Sequence, residues 1–264
     1  MRKALAVGLT SARERLRYPG EALGTAFFFA TLLFIFSRLW SAVLDEGGKA
    51  GGYSLEQLLW YLVVTELVTM SPANVHQRIA ESVRSGDIAV HLLKPMGYVS
   101  WELARVSGAA AVRLGVLTLA GAPCAALLVG WPGASIRDWR GPALALGVFV
   151  PAAIVFESSV RILIGLLAFW VEDSNPCYWI WQKAAFILGG LMLPLDLYPD
   201  WLARVASWLP FQALLYAPAR TAVAFDGAFA ARAALTLLVW GCVLIGALHL
   251  VSWRAQRRIA LNGG

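Results

Sequence analysis

Three ionisable residues interrupt long apolar runs of the sequence and are the first candidates for chemistry. Glu157 and Arg161 stand four positions apart, which on a helix brings their side chains to one face and favours an ion pair. Glu66 lies in a different apolar run. A charged side chain at the centre of a bilayer costs about 2.5 to 3.5 kcal/mol on insertion scales, so each of these residues needs a reason to be there.

The sequence leaves two roles open for these three residues. Glu157, Arg161 and Glu66 could line a polar path through the protein or a seam between subunits. Glu157 and Arg161 could instead form a structural pair that locks two helices together, since opposite charges satisfy each other when both are buried. The same choice between path and structure applies to Glu66.

Catalytic and metal-binding patterns are missing from the sequence. The three histidines show no H-E-x-x-H spacing, and no G-x-S-x-G occurs. No lysine is followed by serine or threonine, so the chain lacks a Walker A loop with which to bind ATP. Cys124, Cys177 and Cys242 show no pattern of a disulfide framework or a metal site. We therefore expect no catalytic residue, no metal site and no directly bound cofactor.

Six apolar stretches must position the ionisable residues. A hydrocarbon core of roughly 30 Å needs about 20 apolar residues in a helix. Apolar residues make up 59% of the chain, and the stretches are continuous rather than alternating, which favours helices over a β-barrel. The sequence therefore predicts an all-α integral membrane protein, one transmembrane domain over residues 1–264 with six transmembrane helices. The predicted spans are Ala22–Leu44, Leu55–Ala73, Val106–Val129, Pro142–Trp170, Tyr178–Leu193 and Ala231–Trp253.

The distribution of charge predicts the orientation in the membrane. A net charge of +6 would suggest nucleic acid as the partner of a soluble protein. Here, eleven positive charges fall in the N-terminal segment, the segment after the second span and the C-terminal tail, whereas five fall in the alternate loops. Positive charges favour the cytoplasmic side, so both termini are expected there, and no nucleic-acid partner is expected.

Two segments on the predicted cytoplasmic side have amphipathic character. In residues 1–20, leucines recur on one helical face and arginines on the other. This pattern predicts an interfacial helix that lies on the membrane. Residues 74–100 predict a helix–glycine–helix elbow, in which Asn74 caps a helix with an apolar stripe that includes Val75 and Ile79, and Gly86 ends it. Such an elbow suits docking into another protein, and an interfacial helix without a partner is the alternative.

The segment 194–229, on the predicted outer side, cannot form one continuous helix because prolines interrupt it. Its large apolar residues favour a short helix that lies in, or re-enters, the outer leaflet over an ordinary loop. Irregular backbone at that depth needs protein or water around it. The residues that define this re-entrant segment are Pro194, Pro199, Trp201, Trp208 and Pro210.

Two sequence motifs resemble those of ABC-2-type permeases, the membrane subunits of a class of bacterial ATP-driven exporters. SGDIAVHLLKP, from Ser85 to Pro95, resembles the family's SGDLD-x-x-LLKP element after the second span. The proline-rich stretch from Leu193 to Pro218 resembles the family's outer re-entrant region. The likeness in length, span order and inward-facing termini extends over nearly the whole chain.

The resemblance implies a bacterial cytoplasmic (inner) membrane permease that pairs with a second permease, identical or related, and with two separate ABC ATPase subunits. Those ATPases would hold ATP and Mg²⁺, and the elbow would be the coupling helix that docks into one of them. Membrane lipid would surround the spans. The implied ATPase-coupling residues are Ser85, Gly86, Asp87, Ile88, Leu92, Leu93, Lys94 and Pro95.

Other functions stay open from the sequence. An ion-coupled secondary transporter would show paired broken spans and an inverted repeat, and neither is evident. A membrane enzyme or a non-transporting scaffold is a third possibility, which the lack of a catalytic set disfavours. The sequence does not determine the transported substrate, or whether the permease is a homodimer or a heterodimer.

Overall fold

The computed structural model describes residues 2–17, 19–44, 48–88, 91, 96–131 and 139–262. Within these residues it contains helices, turns and a single isolated bridge between Ala50 and Tyr53, and no strand. The predicted all-α class is therefore confirmed. The helices are α1 Arg2–Leu16, α2 Pro19–Val43, α3 Leu55–Met70, α4 Val75–Ser85, α5 Tyr98–Val129, α6 Arg140–Leu144, α7 Val150–Leu166, α8 Asn175–Leu188, α9 Asp200–Trp208, α10 Pro210–Leu214, α11 Tyr216–Val223 and α12 Gly227–Asn262.

Five helical segments of the described chain are long and apolar enough to cross a membrane. They coincide with five of the six predicted spans, which makes the chain a multi-pass membrane protein. A π-helical turn, Ala145–Phe149, joins α6 to α7 just before Pro151, whose ring cannot fit an ordinary helix interior. The five segments are Leu23–Val43, Leu55–Ser85, Tyr98–Val129, Arg140–Phe169 and Gly227–Arg257.

The predicted span Tyr178–Leu193 is not among these five. In its place, α8 has 14 residues, a length of about 21 Å, and ends at Leu188, with Gly189 as its C-cap. Gly190 has a φ of +68°, a conformation that glycine adopts without strain. The hydroxyls of Tyr61 and Thr65 on α3 donate to the carbonyl oxygens of Gly190 and Leu191, so α3 supplies bonds that a longer helix would make itself. A sixth crossing stays a prediction.

Burial separates central from peripheral helices. In the most apolar 18-residue stretch of each span, the share of residues buried inside the protein differs widely. It is 72% for the span that contains α3, 56% for α7, 22% for α2, 17% for α5 and 11% for α12. A helix that is apolar on all sides and buried on all sides forms the centre of a bundle. The structure therefore has α3 and α7 at its centre, with α2, α5 and α12 around them.

The helix α1 confirms the helical part of the prediction for residues 1–20. It packs along α5, where Gly108 faces Gly8 so closely that a Cβ on Gly108 would lie 2.1 Å from the carbonyl oxygen of Gly8. Leu5 and Leu9 remain exposed. The apolar face is thus free to contact lipid, while the placement of α1 on a membrane surface stays a prediction.

Hydrogen bonds between loops show which connecting segments lie at the same end of the helical bundle. At one end, Tyr53 donates to Asp196, which joins the loop before α3 to the segment before α9. At the other end, Arg84 at the end of α4 donates to the carbonyl oxygen of Glu172. Which end faces the cytoplasm stays a prediction.

Candidate functional site

A cavity of about 530 Å³ lies where α2, α3, α7 and α8 meet the junction between α3 and α4. This volume is within the usual range of small-molecule sites, about 300 to 1,000 Å³. Its apolar and aromatic wall is formed by Phe28, Leu32, Met70, Tyr178, Trp179, Phe186, Leu191 and Met192. Its polar wall is formed by Thr25, Glu66, Thr69, Asn74, His76, Gln77, Arg113, Arg161 and Gln182.

Arg161 extends from α7 to the junction between α3 and α4. Its Nη1 donates to the carbonyl oxygens of Pro72 and Ala73 at 2.9 and 3.3 Å, and to Oδ1 of Asn74 at 3.2 Å. Carbonyl groups just beyond a helix end lack partners within the helix, and a cation there is favourable. Arg161 therefore holds the break between the two helices in place.

Glu157 completes this cluster. Its Oε1 accepts a hydrogen bond of 3.2 Å from Nε of Arg161, and its Oε2 accepts one of 2.9 Å from the indole nitrogen of Trp181 on α8. The pair predicted from the i, i+4 spacing is present, and its other hydrogen bonds join α7 to the α3–α4 junction and to α8. The structural interpretation gains support from this geometry. Arg161 also lines the cavity, so a role in the path is still a hypothesis.

Glu66 has a different environment. It is 4% exposed and lines the cavity, yet it makes no hydrogen bond or ion pair with any residue that the structure describes. Burial of a carboxylate without a partner costs free energy. Glu66 is therefore the predicted site residue whose position packing does not explain.

Two further groups on the cavity wall were missed by sequence reasoning. Arg113 on α5 pairs with Glu21 on α2, which also binds Arg15 of α1. The hydrogen bond from Arg15, together with the charge of Arg113, lowers the pKa of Glu21. His76 on α4 is buried and stacks on Tyr178 with ring centroids 4.0 Å apart. Neither group carries a motif, because the contacts join helices that are distant in the sequence.

The predicted coupling residues are only partly described. Ser85 ends α4, Gly86 has a φ of +81° as a helix-ending glycine should, and the Ser85 hydroxyl bonds the carboxylate of Asp87 at 2.7 Å. Ile88 is buried. Leu92, Leu93, Lys94 and Pro95 lie outside the described residues.

The apolar stripe of α4 packs against the rest of the chain. Val75 and Ile79 are buried against α7, where a Cβ on Gly165 would lie 2.7 Å from Cβ of Ile79. Asn74 occupies the capping position, but its side chain binds Arg161 and makes no cap. The same chain therefore covers this stripe, and the docking of the elbow into an ATPase stays a prediction.

The proline-rich segment folds as several short helices. Pro194 and Pro199 precede the 3₁₀ turn Leu195–Leu197 and α9, and Pro210 begins α10. Trp201 and Trp208 on α9 are exposed, at 63% and 82%. By contrast, α10 and α11 are buried and pack on α3, α7 and α12. The chain thus turns inward after α9, and its re-entry into a leaflet stays a prediction.

Comparison with known proteins gives one family. A family model described as "ABC-2 family transporter protein" matches residues 27–260. The matched range begins inside α2 and ends inside α12, so it contains α3, α4, α7 and α8, which enclose most of the cavity. No curated protein and no solved structure matches the chain.

Proposed function

The chain belongs to the ABC-2 family of transporter proteins, and from this premise we propose that it is the permease subunit of an ATP-driven exporter. ATP and Mg²⁺ would bind to two separate ABC ATPase subunits, because the sequence has no Walker A loop of its own. A second permease, identical or related, would complete the complex in the inner membrane of a bacterium.

The cavity beside α4 is the observation that carries this proposal. It is large enough for a small molecule, and residues of α2, α3, α7 and α8 all line it. The predicted coupling elbow is continuous with the wall of the cavity, since Asn74, His76 and Gln77 belong to both. A movement of the elbow would therefore change the shape of the cavity.

The packing of α4 suggests how such a movement would travel. Because Ile79 packs on α7 and Arg161 of α7 binds the junction before α4, α4 and α7 would move as one body. Trp181 joins this body to α8 through Glu157. ATP-driven closure of the ATPase pair, pressing on the turn at Gly86, would then shift α7 and α8 relative to α2.

Copurification and ATP-dependent transport test the proposal. When the tagged full-length chain is isolated from its native membrane, we expect an ATPase with a Walker A motif to copurify with it and to hydrolyse ATP. The complex in liposomes should move substrate only when ATP is supplied. A chain that transports at full rate without any ATPase would contradict the proposal.

An ion-coupled secondary transporter is the second candidate, because a buried carboxylate such as Glu66 is a common element of proton-coupled transport. The two candidates differ in their energy source. Transport that stops when a protonophore collapses the ion gradient, and continues when ATP is removed, would favour the second.

A further inference from the structure

Glu66 places a buried carboxyl group without a partner on the wall of the cavity. Its side chain is more than nine-tenths buried, and the part of the chain that the structure describes offers it no donor and no cation. It lies four residues before the end of α3, about 6 Å along the helix axis from Met70. A bound cation would give the carboxyl group of Glu66 the ion-pair partner that the described residues do not provide.

The positive charges on the same wall already have carboxylate partners. Arg161 binds Glu157, and Arg113 binds Glu21. Both arginines also reach the carbonyl oxygen of Pro72, so they lie at the junction between α3 and α4 rather than beside Glu66. Among the acidic and basic residues described on the cavity wall, Glu66 is the carboxyl group without an ion-pair partner.

The remaining wall suits the apolar part of a ligand. Phe28 and Phe186 present rings to the cavity, and Met70 and Met192 add flexible, polarisable side chains. The face of an aromatic ring attracts a cation. Lys183, which does not line the cavity, already lies 5.4 Å from the ring centroid of Phe186, so this ring accepts a positive charge.

From the juxtaposition of an unpartnered buried carboxylate with aromatic walls, we infer that the cavity binds lipophilic organic cations and that Glu66 is their counter-ion. This inference rests on the proposed export function, because it names the class of molecule that the cavity would carry. A neutral ligand would leave the carboxylate unpaired, and an anion would be repelled by it. A lipophilic amine or quaternary ion would pair with the carboxylate of Glu66 and place its apolar groups against the aromatic wall.

Two probes of one shape and opposite charge test the inference. The full-length chain in lipid nanodiscs is titrated with tetraphenylphosphonium and with tetraphenylborate, and equilibrium binding is measured. We expect the cation to bind and Glu66→Gln to weaken its binding at least about tenfold, the effect of losing roughly 1.4 kcal/mol of attraction. The matched control, Glu14→Gln, removes an exposed carboxylate of α1 and should leave binding unchanged.

Each other outcome overturns the inference. These outcomes are a wild-type chain that fails to bind the cation, a preference for tetraphenylborate, and equal binding of the cation by Glu66→Gln. Should that variant fail to fold, carbodiimide labelling of Glu66 in the unaltered chain, read by peptide mass spectrometry, decides the matter. Tetraphenylphosphonium should protect Glu66 from the label, and unprotected labelling at saturating cation would count against the site.

The binding measurement needs no ATPase, so it separates this inference from the proposed function. If the cation binds through Glu66 but no ATPase accompanies the chain, the ATP-driven role fails and the cation site stands. If an ATPase copurifies and drives transport but Glu66 does not affect cation binding, the permease stands and the inference fails.

Discussion

At the residue scale, Arg161 connects three helices through one guanidinium group. The spacing of Glu157 and Arg161 predicts the ion pair, and the structure contains it. The bonds from Arg161 to Pro72 and Asn74 could not be predicted, because they join residues almost ninety positions apart. The environment of Glu66 was equally hidden, since the cavity is formed by helices whose arrangement the local pattern does not encode.

The asymmetry of this cluster predicts unequal effects of substitution. Glu157→Gln keeps an acceptor for Trp181 and should lower the free energy of unfolding by less than Arg161→Gln, which also removes the hydrogen bonds from Arg161 to Pro72, Ala73 and Asn74 at the junction. Removing one partner of a buried pair costs about 3 to 5 kcal/mol. The double variant should recover part of the loss, as measured by detergent-denaturation titration.

A matched control and a contradicting result are available for this prediction. Arg38→Gln removes an exposed arginine of α2 and should change the unfolding free energy by no more than about 0.5 kcal/mol. Strictly additive losses in the double variant would show that Glu157 and Arg161 are not coupled. A stable double variant that fails to transport would assign the pair to the path instead.

At the element scale, the turn after α8 predicts the effect of a single methyl group. Gly190→Ala would hold a non-glycine residue at a φ of +68° and bring its Cβ to 3.0 Å from the carbonyl oxygen of Leu193. We expect the melting temperature to fall, with a loss of about 1 to 2 kcal/mol from the backbone conformation. Gly115→Ala in α5, which meets open space, should be neutral or stabilising. Equal stability of the two variants would be inconsistent with the described turn.

The elbow yields a second prediction at the element scale. Leu92→Asp or Leu93→Asp places a charge in the predicted coupling segment, outside the predicted spans, so membrane insertion should be normal. Burying an unpaired charge at the ATPase contact should sharply reduce copurification of the ATPase and ATP-dependent transport. Lys49→Asp, at the opposite end of the molecule, is the control and should affect neither. Normal association in both leucine variants would remove this segment from the coupling.

At the scale of the whole molecule, composition and periodicity predict the class and five crossings well. They do not predict that α8 ends at Leu188 and that the chain turns at Gly190, because the apolar residues around Gly189 and Gly190 resemble the continuation of a helix. They also do not identify α7 as the helix that covers Ile79 in the apolar stripe of α4. An apolar face in the sequence predicts that the face is buried, but it does not identify the element or the partner that buries it.

The orientation of the molecule follows from its charge distribution and can be measured. In a background without the three native cysteines, Lys49→Cys and Ser85→Cys both present exposed positions, one at each end. A membrane-impermeant maleimide added to intact cells should label position 49 and spare position 85, because eleven of the counted positive charges lie on the side of position 85. The reverse pattern would invert the topology.

The uneven burial of the spans has a consequence for how the sequence can vary. In α3, a change of shape at Leu59, Tyr61 or Leu62 disturbs tightly packed neighbours on every side, because all three are almost fully buried. In α12, outward residues such as Leu238, Val239 and Ile245 need only remain apolar. A library of all single substitutions, selected for intact protein in the membrane, should therefore show α3 accepting few residue types per position. The outer side of α12 should accept almost any aliphatic residue, and the few intolerant positions there would mark the surface that the second permease occupies.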